Sequence, residues 1–139
     1  MIFPKLNVGI SKAIQKKITE EDTAINFGSG AIKDLLATPI LAALMIEAAV
    51  TLVDPLLPEN YITIGKILNI DHLHATTKGM IVTVNASIIE IDETRVVFDI
   101  VAFDELGEIG IGHHERYIVN NDLLNHRVEK RTEILRPQP

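Results

Sequence analysis

Few side chains in this sequence can move a proton or polarise a carbonyl, and they fall in a small number of places. Glu47 interrupts the apolar run that follows Thr38-Pro39, and His72 stands beside Asp71 at the end of a stretch rich in Ile and Leu. A carboxylate and an imidazole can divide proton transfer, one taking a proton from water while the other places the reacting groups. A hydroxyl at a helix start, where Thr38 would sit, lies where the helix dipole favours negative charge. From there it can donate to a carbonyl oxygen or attack the carbonyl carbon. Gly65 can bring its backbone N–H close to a ligand, because no Cβ intervenes. Each residue also has a plainer role. Thr38 would be a helix N-cap, Glu47 a solvated position on a stripe with Thr51 and Asp54, and His72 a hydrogen-bonded structural residue.

Other chemistries lack their residues. The chain of 139 residues has no Cys, which removes disulfide scaffolds, thiol nucleophiles and Cys-ligated metals together. His72 and His74 would share one strand face and His113-His114 are adjacent, but neither pair has a third ligand at a regular spacing. No metal and no cofactor are therefore expected. Gly110-Ile111-Gly112 is not followed by Lys-Ser/Thr and a helix, so it is no phosphate loop. There is no Gly-x-Ser-x-Gly elbow. A net charge of -6, 4% aromatic residues and no Trp argue against a nucleic-acid partner. Arg127, Lys130, Arg131 and Arg136 make the C-terminal segment locally basic, but Glu129 and Glu133 interleave with them, as on an ordinary solvated face.

The elements that must position these groups can be read from hydrophobic period. No repeat or linker divides the chain, so one domain over 1–139 is expected. Thr38-Pro39 opens a helix: Thr can cap it, and Pro in the first turn loses no helical bond. The segment ILAALMIEAAVTLV then continues to Asp54-Pro55, where Pro disfavours helical geometry in the residue before it. It is apolar on nearly every side, which predicts a central helix enclosed on most of its surface. Period 2 follows, predicting strands over Tyr61–His72, Met80–Ile91, Arg95–Asp104 and Glu108–Val119, with another candidate over Lys12–Thr19. The joints between the later strands are short, which predicts antiparallel neighbours. Residues 121–135 read as a polar extension. The sum is an α+β fold, an antiparallel sheet wrapped around one long central helix, with a homodimer expected to cover what one sheet and one helix leave open. Pro39–Val53 is 15 residues long and contains Glu47, short of the roughly 20 residues a membrane span needs. Met1–Lys5 has neither a basic nor a long apolar leader region. The expectation is a cytoplasmic protein with no membrane partner.

Ala37-Thr38-Pro39 at the helix start, Ala43-Leu44-Met45 within it, and Thr63-Ile64-Gly65 leading to Asp71-His72-Leu73 resemble the hot-dog-fold acyl-CoA thioesterases. Within that family the fluoroacetyl-CoA thioesterase-like subgroup is the nearest in pattern. Thr76-Thr77-Lys78-Gly79-Met80, Phe98-Asp99, Gly112-His113-His114-Glu115-Arg116 and Asn125-His126-Arg127-Val128 continue the match from about Ile10 to Arg131. The resemblance implies a hot-dog fold and a small acyl-CoA substrate. It further implies a homodimer, or a higher oligomer, whose subunit interface holds the thioester among Thr38, an acidic helix residue, Gly65 and His72. The family places its Glu eight residues after the Thr. Here that residue is Ile46, and Glu47 is ninth. Either a residue is inserted near Thr38 and Glu47 takes the role, or the acid is missing. Gly65 and His72, seven apart, would face opposite ways on a straight strand, so a shared site requires a bulge or a backbone role for Gly65. Three functions stay open: hydrolysis of a small acyl thioester, binding of an acyl-CoA without turnover, and hydration of an enoyl-CoA.

Overall fold

A computed structural model describes residues 3–137; the expected domain limits at 1 and 139 lie outside them. Five strands form one sheet in the order β1-β3-β4-β5-β2, every neighbouring pair antiparallel. They are β1 (Ser11–Lys17), β2 (Tyr61–His72), β3 (Ile81–Asp92), β4 (Arg95–Asp104) and β5 (Gly107–Asn120). Helix α1 (Thr38–Val53) packs on one face of this sheet, and a second helix, α2 (Asn121–Thr132), follows β5.

The sheet faces α1 through strictly alternating positions. Val82, Val84, Ala86 and Ile88 of β3 and Val96, Phe98, Ile100 and Ala102 of β4 are all buried. They meet Leu41, Leu44, Met45, Ala48, Ala49, Leu52 and Val53 of α1 in one core. Burying each large apolar side chain contributes about 1.5–3 kcal/mol, so the two periods alone set which faces meet. Close approach of α1 needs small residues beneath it: a Cβ on Gly112 would stand 2.7 Å from Met45 Sδ.

The opposite flank of α1 is uncovered, and it is not polar. Ala43 and Ile46 are exposed there with Glu47. The helical run Thr38–Leu56 is long and apolar enough to cross a membrane by length and composition, yet its inner face forms the core.

Residues 121–135, expected as an extension, are mainly helical. Asn120 caps α2 by accepting a hydrogen bond from the Leu123 N–H, and Lys130 and Arg131 lie in its last turn, where they complement the dipole. No residue of α2 is buried. Its apolar residues are too sparse to announce it by periodicity; the signal was the Asn cap.

Candidate functional site

Thr38 and His72, 34 residues apart, meet: Thr38 Oγ1 lies 2.8 Å from His72 Nδ1. Thr38 is not the cap expected from the sequence. Ala37 holds the cap position, and Thr38 begins the helix with its hydroxyl turned to the imidazole. Backbone bonds fix this corner, Leu36 N–H to the Thr76 carbonyl at 2.8 Å and Ala37 N–H to the Asp22 carbonyl at 2.9 Å. On the other side, the Leu73 N–H donates to the Ile109 carbonyl at 2.7 Å and holds the end of β2.

The second ring nitrogen of His72, Nε2, is buried and has no hydrogen-bond partner among the described residues. An unpaired polar atom removed from water is costly unless something else pairs with it. Burial pushes the His72 imidazole below its ordinary pKa, partly opposed by the nearby His74 backbone. The ring is therefore neutral near pH 7. If the Thr38 hydroxyl donates to Nδ1, then Nε2 carries the free N–H; in the other tautomer Nε2 carries the free lone pair.

Gly65 comes to the same face as His72 because β2 carries a bulge. The pairing of β2 with β5 shifts by one residue between Gly65 and Ile67, leaving Lys66 as the extra residue. Before the bulge the odd-numbered residues of β2 face α1, and after it the even-numbered ones do. Gly65 itself lies over Arg116: an added Cβ would be 3.1 Å from Arg116 Nη1 and 3.6 Å from His114 Cε1.

Glu47 is not brought to this group. Helix α1 runs without interruption from Thr38 to Val53. At about 100° per residue, Ile46 lies roughly 80° around the axis from Thr38 and Glu47 roughly 180°. Glu47 is exposed, and its carboxylate has no hydrogen bond or ion pair among the described residues. Its backbone carbonyl accepts from the Thr51 hydroxyl.

Beneath β2 lies a polar network that sequence reasoning did not single out. His114 is 1% exposed and Arg116 6%. Arg116 donates from Nε to Thr63 Oγ1 and from Nη2 to the Thr63 carbonyl, both at 2.8 Å, and from Nη1 to His114 Nε2 at 3.2 Å. An Arg only donates, so His114 Nε2 accepts, and its Nδ1–H donates to the Ile67 carbonyl at 2.7 Å. The Thr63 hydroxyl donates to Asp54 Oδ1 at 2.6 Å. The available signal was phase: His114 and Arg116 share the period-2 phase of Gly112 and Ile118, which face the core. His113, by contrast, points outward, 3.0 Å from Glu115 Oε2, so the adjacent histidines cannot share a ligand. Among the described residues no group of three or more His, Asp or Glu is placed to hold a metal ion. An open groove of about 660 Å³ on the outer side of β2, β5 and β4 includes Asp71, Asp99 and His113 but neither Thr38 nor His72.

The sequence model of a family described as fluoroacetyl-CoA-specific thioesterase matches residues 18–122. A fluoroacetyl-CoA thioesterase of Streptantibioticus cattleyicolor is 30% identical over 99 residues, 71% of this chain and 71% of that one. The crystal structure of a hot-dog-like protein from Thermanaerovibrio acidaminovorans has a TM-score of 0.87 at 29% identity, covering 92% of this chain and 94% of that one. A Thr-to-Ser variant of a fluoroacetyl-CoA thioesterase, crystallised with acetyl-CoA, gives 0.84 at 25% identity, covering 91% and 99%.

Proposed function

The chain belongs to the fluoroacetyl-CoA-specific thioesterase family and has its hot-dog fold, and we propose that it hydrolyses the thioester of a small acyl-CoA at Thr38 and His72 of one copy, with the Gly65 amide supplied by a second copy. The observation that carries this reading is the Thr38–His72 pair with its buried, unpartnered Nε2. A neutral imidazole with one nitrogen oriented by a hydroxyl and the other free is suited to take a proton from water. Water adds to the thioester carbon while His72 takes its proton. The tetrahedral intermediate then collapses, and that proton passes to the departing thiolate, giving a carboxylic acid and free thiol. The Gly65 N–H of the second copy and the positive end of α1 offset the charge that develops on the carbonyl oxygen.

A second copy of the chain completes the site. β2 is an edge strand of 12 residues that exposes Ile64 and Ile67, and Leu73 just beyond it is exposed as well. The bare flank of α1 adds Ala43 and Ile46. The other edge, β1, carries Lys12, Lys16 and Lys17, charges of the kind that discourage edge pairing. Pairing of β2 with its copy would cover the apolar residues and enclose the thioester between subunits.

Ile46 at the place of the family's acid favours a second reading, an acyl-CoA-binding protein without turnover. Hydration of an enoyl-CoA has less support, because Asp71, next to His72 on the strand, turns to the outer groove. A panel of acyl-CoAs of increasing chain length, assayed for thiol release, separates these. Release that is lost in His72→Ala is expected. Saturable binding of intact thioester with no release above the buffer rate would overturn hydrolysis in favour of binding.

A further inference from the structure

In the ladder that joins β2 to β5, Gly110 stands directly across from His72. A Cβ on Gly110 would lie 3.0 Å from Leu41 Cδ2 and 3.2 Å from the Asp71 carbonyl oxygen. Leu41 is in the first turn of α1, three residues after Thr38, and Asp71 is the residue before His72. The empty position therefore lies between the two pieces of backbone that carry the Thr38–His72 pair. Glycine inside a strand weakens it, and Gly110 has no positive φ that would call for one. What it supplies is space. Leu41 is fully buried in the core, where its terminal methyl groups have no free volume to swing into. Added bulk at Gly110 is thus transmitted to the backbone of α1.

We propose that Gly110 is a positioning residue for the thioester site: the space left by its missing Cβ lets the first turn of α1 settle against the end of β2, which brings the Thr38 hydroxyl within hydrogen-bond reach of His72. The proposal rests on the thioesterase reading above. Gly110 touches no substrate in it and acts through Leu41 and the backbone of β2.

Three variants of the full chain test this, with Thr38→Val as the reference for a broken pair. Gly110→Ala adds the Cβ. Gly110→Ala/Leu41→Val also removes the methyl that this Cβ meets. Gly112→Ala is the control, since it crowds the Met45 thioether, an unbranched chain that can bend away. With the best acyl-CoA of the panel, Gly110→Ala should lose about 5–50-fold in kcat with KM within about threefold, since misplacement by about 1 Å can cost 10²-fold. Adding Leu41→Val should recover at least about threefold of that loss, even though it removes core volume and lowers Tm. Gly112→Ala should keep kcat within about threefold whatever its Tm. In nitrogen NMR spectra of histidine-labelled protein, the His72 ring signals should move in Gly110→Ala toward their positions in Thr38→Val, and stay in place in Gly112→Ala. Full kcat or an unmoved His72 ring in a folded Gly110→Ala, no recovery in the double variant, or an equal loss in Gly112→Ala would overturn the proposal. If Gly110→Ala fails to fold, the double variant is compared with Leu41→Val: kcat within about fivefold is expected, and a slower or unfolded double variant overturns it. If the wild-type protein hydrolyses nothing, the thioesterase reading falls; an unmoved His72 ring in Gly110→Ala would then separately refute the spacing role.

Discussion

Two substitutions on adjacent residues of α1 test which side of the helix needs a carboxylate. Along an uninterrupted helix the eighth residue after Thr38 is about 12 Å down the axis and about 80° around it, and the ninth lies roughly 100° further round. Glu47 is exposed, and its carboxylate has no partner among the described residues. Glu47→Gln should therefore leave turnover within about threefold of wild type and stability within about 0.5 kcal/mol, as for a surface substitution. Ile46 keeps 37% of its surface exposed. Full burial of an Ile contributes about 1.5–3 kcal/mol, so the roughly two-thirds removed from water makes Ile46→Glu cost about 1–2 kcal/mol. In exchange it puts a carboxylate about 100° nearer to Thr38 around the axis than Glu47 is, at the family's spacing. A positioned general base contributes about 10²–10⁴-fold, so kcat should rise at least tenfold. Thiol release under saturating acyl-CoA reads the rates, and thermal unfolding reads the stability cost. A Glu47→Gln variant with an unchanged Tm but more than tenfold slower turnover would refute the reasoning, because the working carboxylate would then be on the flank opposite Thr38.

Thr38→Val keeps the shape of the helix start but removes the partner of His72 Nδ1, and should lower kcat about 10–100-fold while Thr38→Ser stays within about tenfold; equal rates would remove Thr38 from the site. Because burial holds the His72 imidazole below its ordinary value, the acid limb of kcat/KM should have its midpoint below about pH 6.5, and a midpoint above that would contradict a buried neutral base. His114 is likewise held down, first by burial and also by the charge of Arg116 beside it. The unfolded chain then binds protons before the folded one, so stability is fully present above about pH 6.5 and falls as pH drops below it. A Tm that is flat from pH 7.5 to 5.5 would refute this. Gly112→Ala drives a Cβ to 2.7 Å from Met45 Sδ and should cost about 1–3 kcal/mol by urea unfolding; no loss would show that Met45 can move aside freely.

Much of the fold was legible because it is written locally. Beginning and end of α1 follow from Pro39 and Asp54-Pro55, and β2 and β4 occupy the spans their period-2 pattern predicts. That Gly65 and His72 need a bulge, or a backbone role for Gly65, to share a site also followed from counting residues, since seven positions on a straight strand cannot share a face. The location of that bulge did not follow, because a bulge is settled by how β2 registers against β5, where Gly65 pairs with Arg116 and Ile67 with Glu115, far along the chain. Thr38 shows the same limit. Its type and place suit a cap, and only the approach of His72 decides that its hydroxyl turns there instead.

By itself the sequence determined the class of the fold, its family, and the short list of groups able to do chemistry, because apolar periodicity and residue type act over a few neighbours. The tertiary structure decided which of those groups meet. It joined Thr38 to His72 and left Nε2 buried, with no partner among the described residues. It placed Glu47 on the far flank of the helix and turned His114 and Arg116 inward beneath Gly65. Each of these depends on strand register and on how α1 lies across the sheet, which are set by burial summed over the whole core and not by any one stretch of chain.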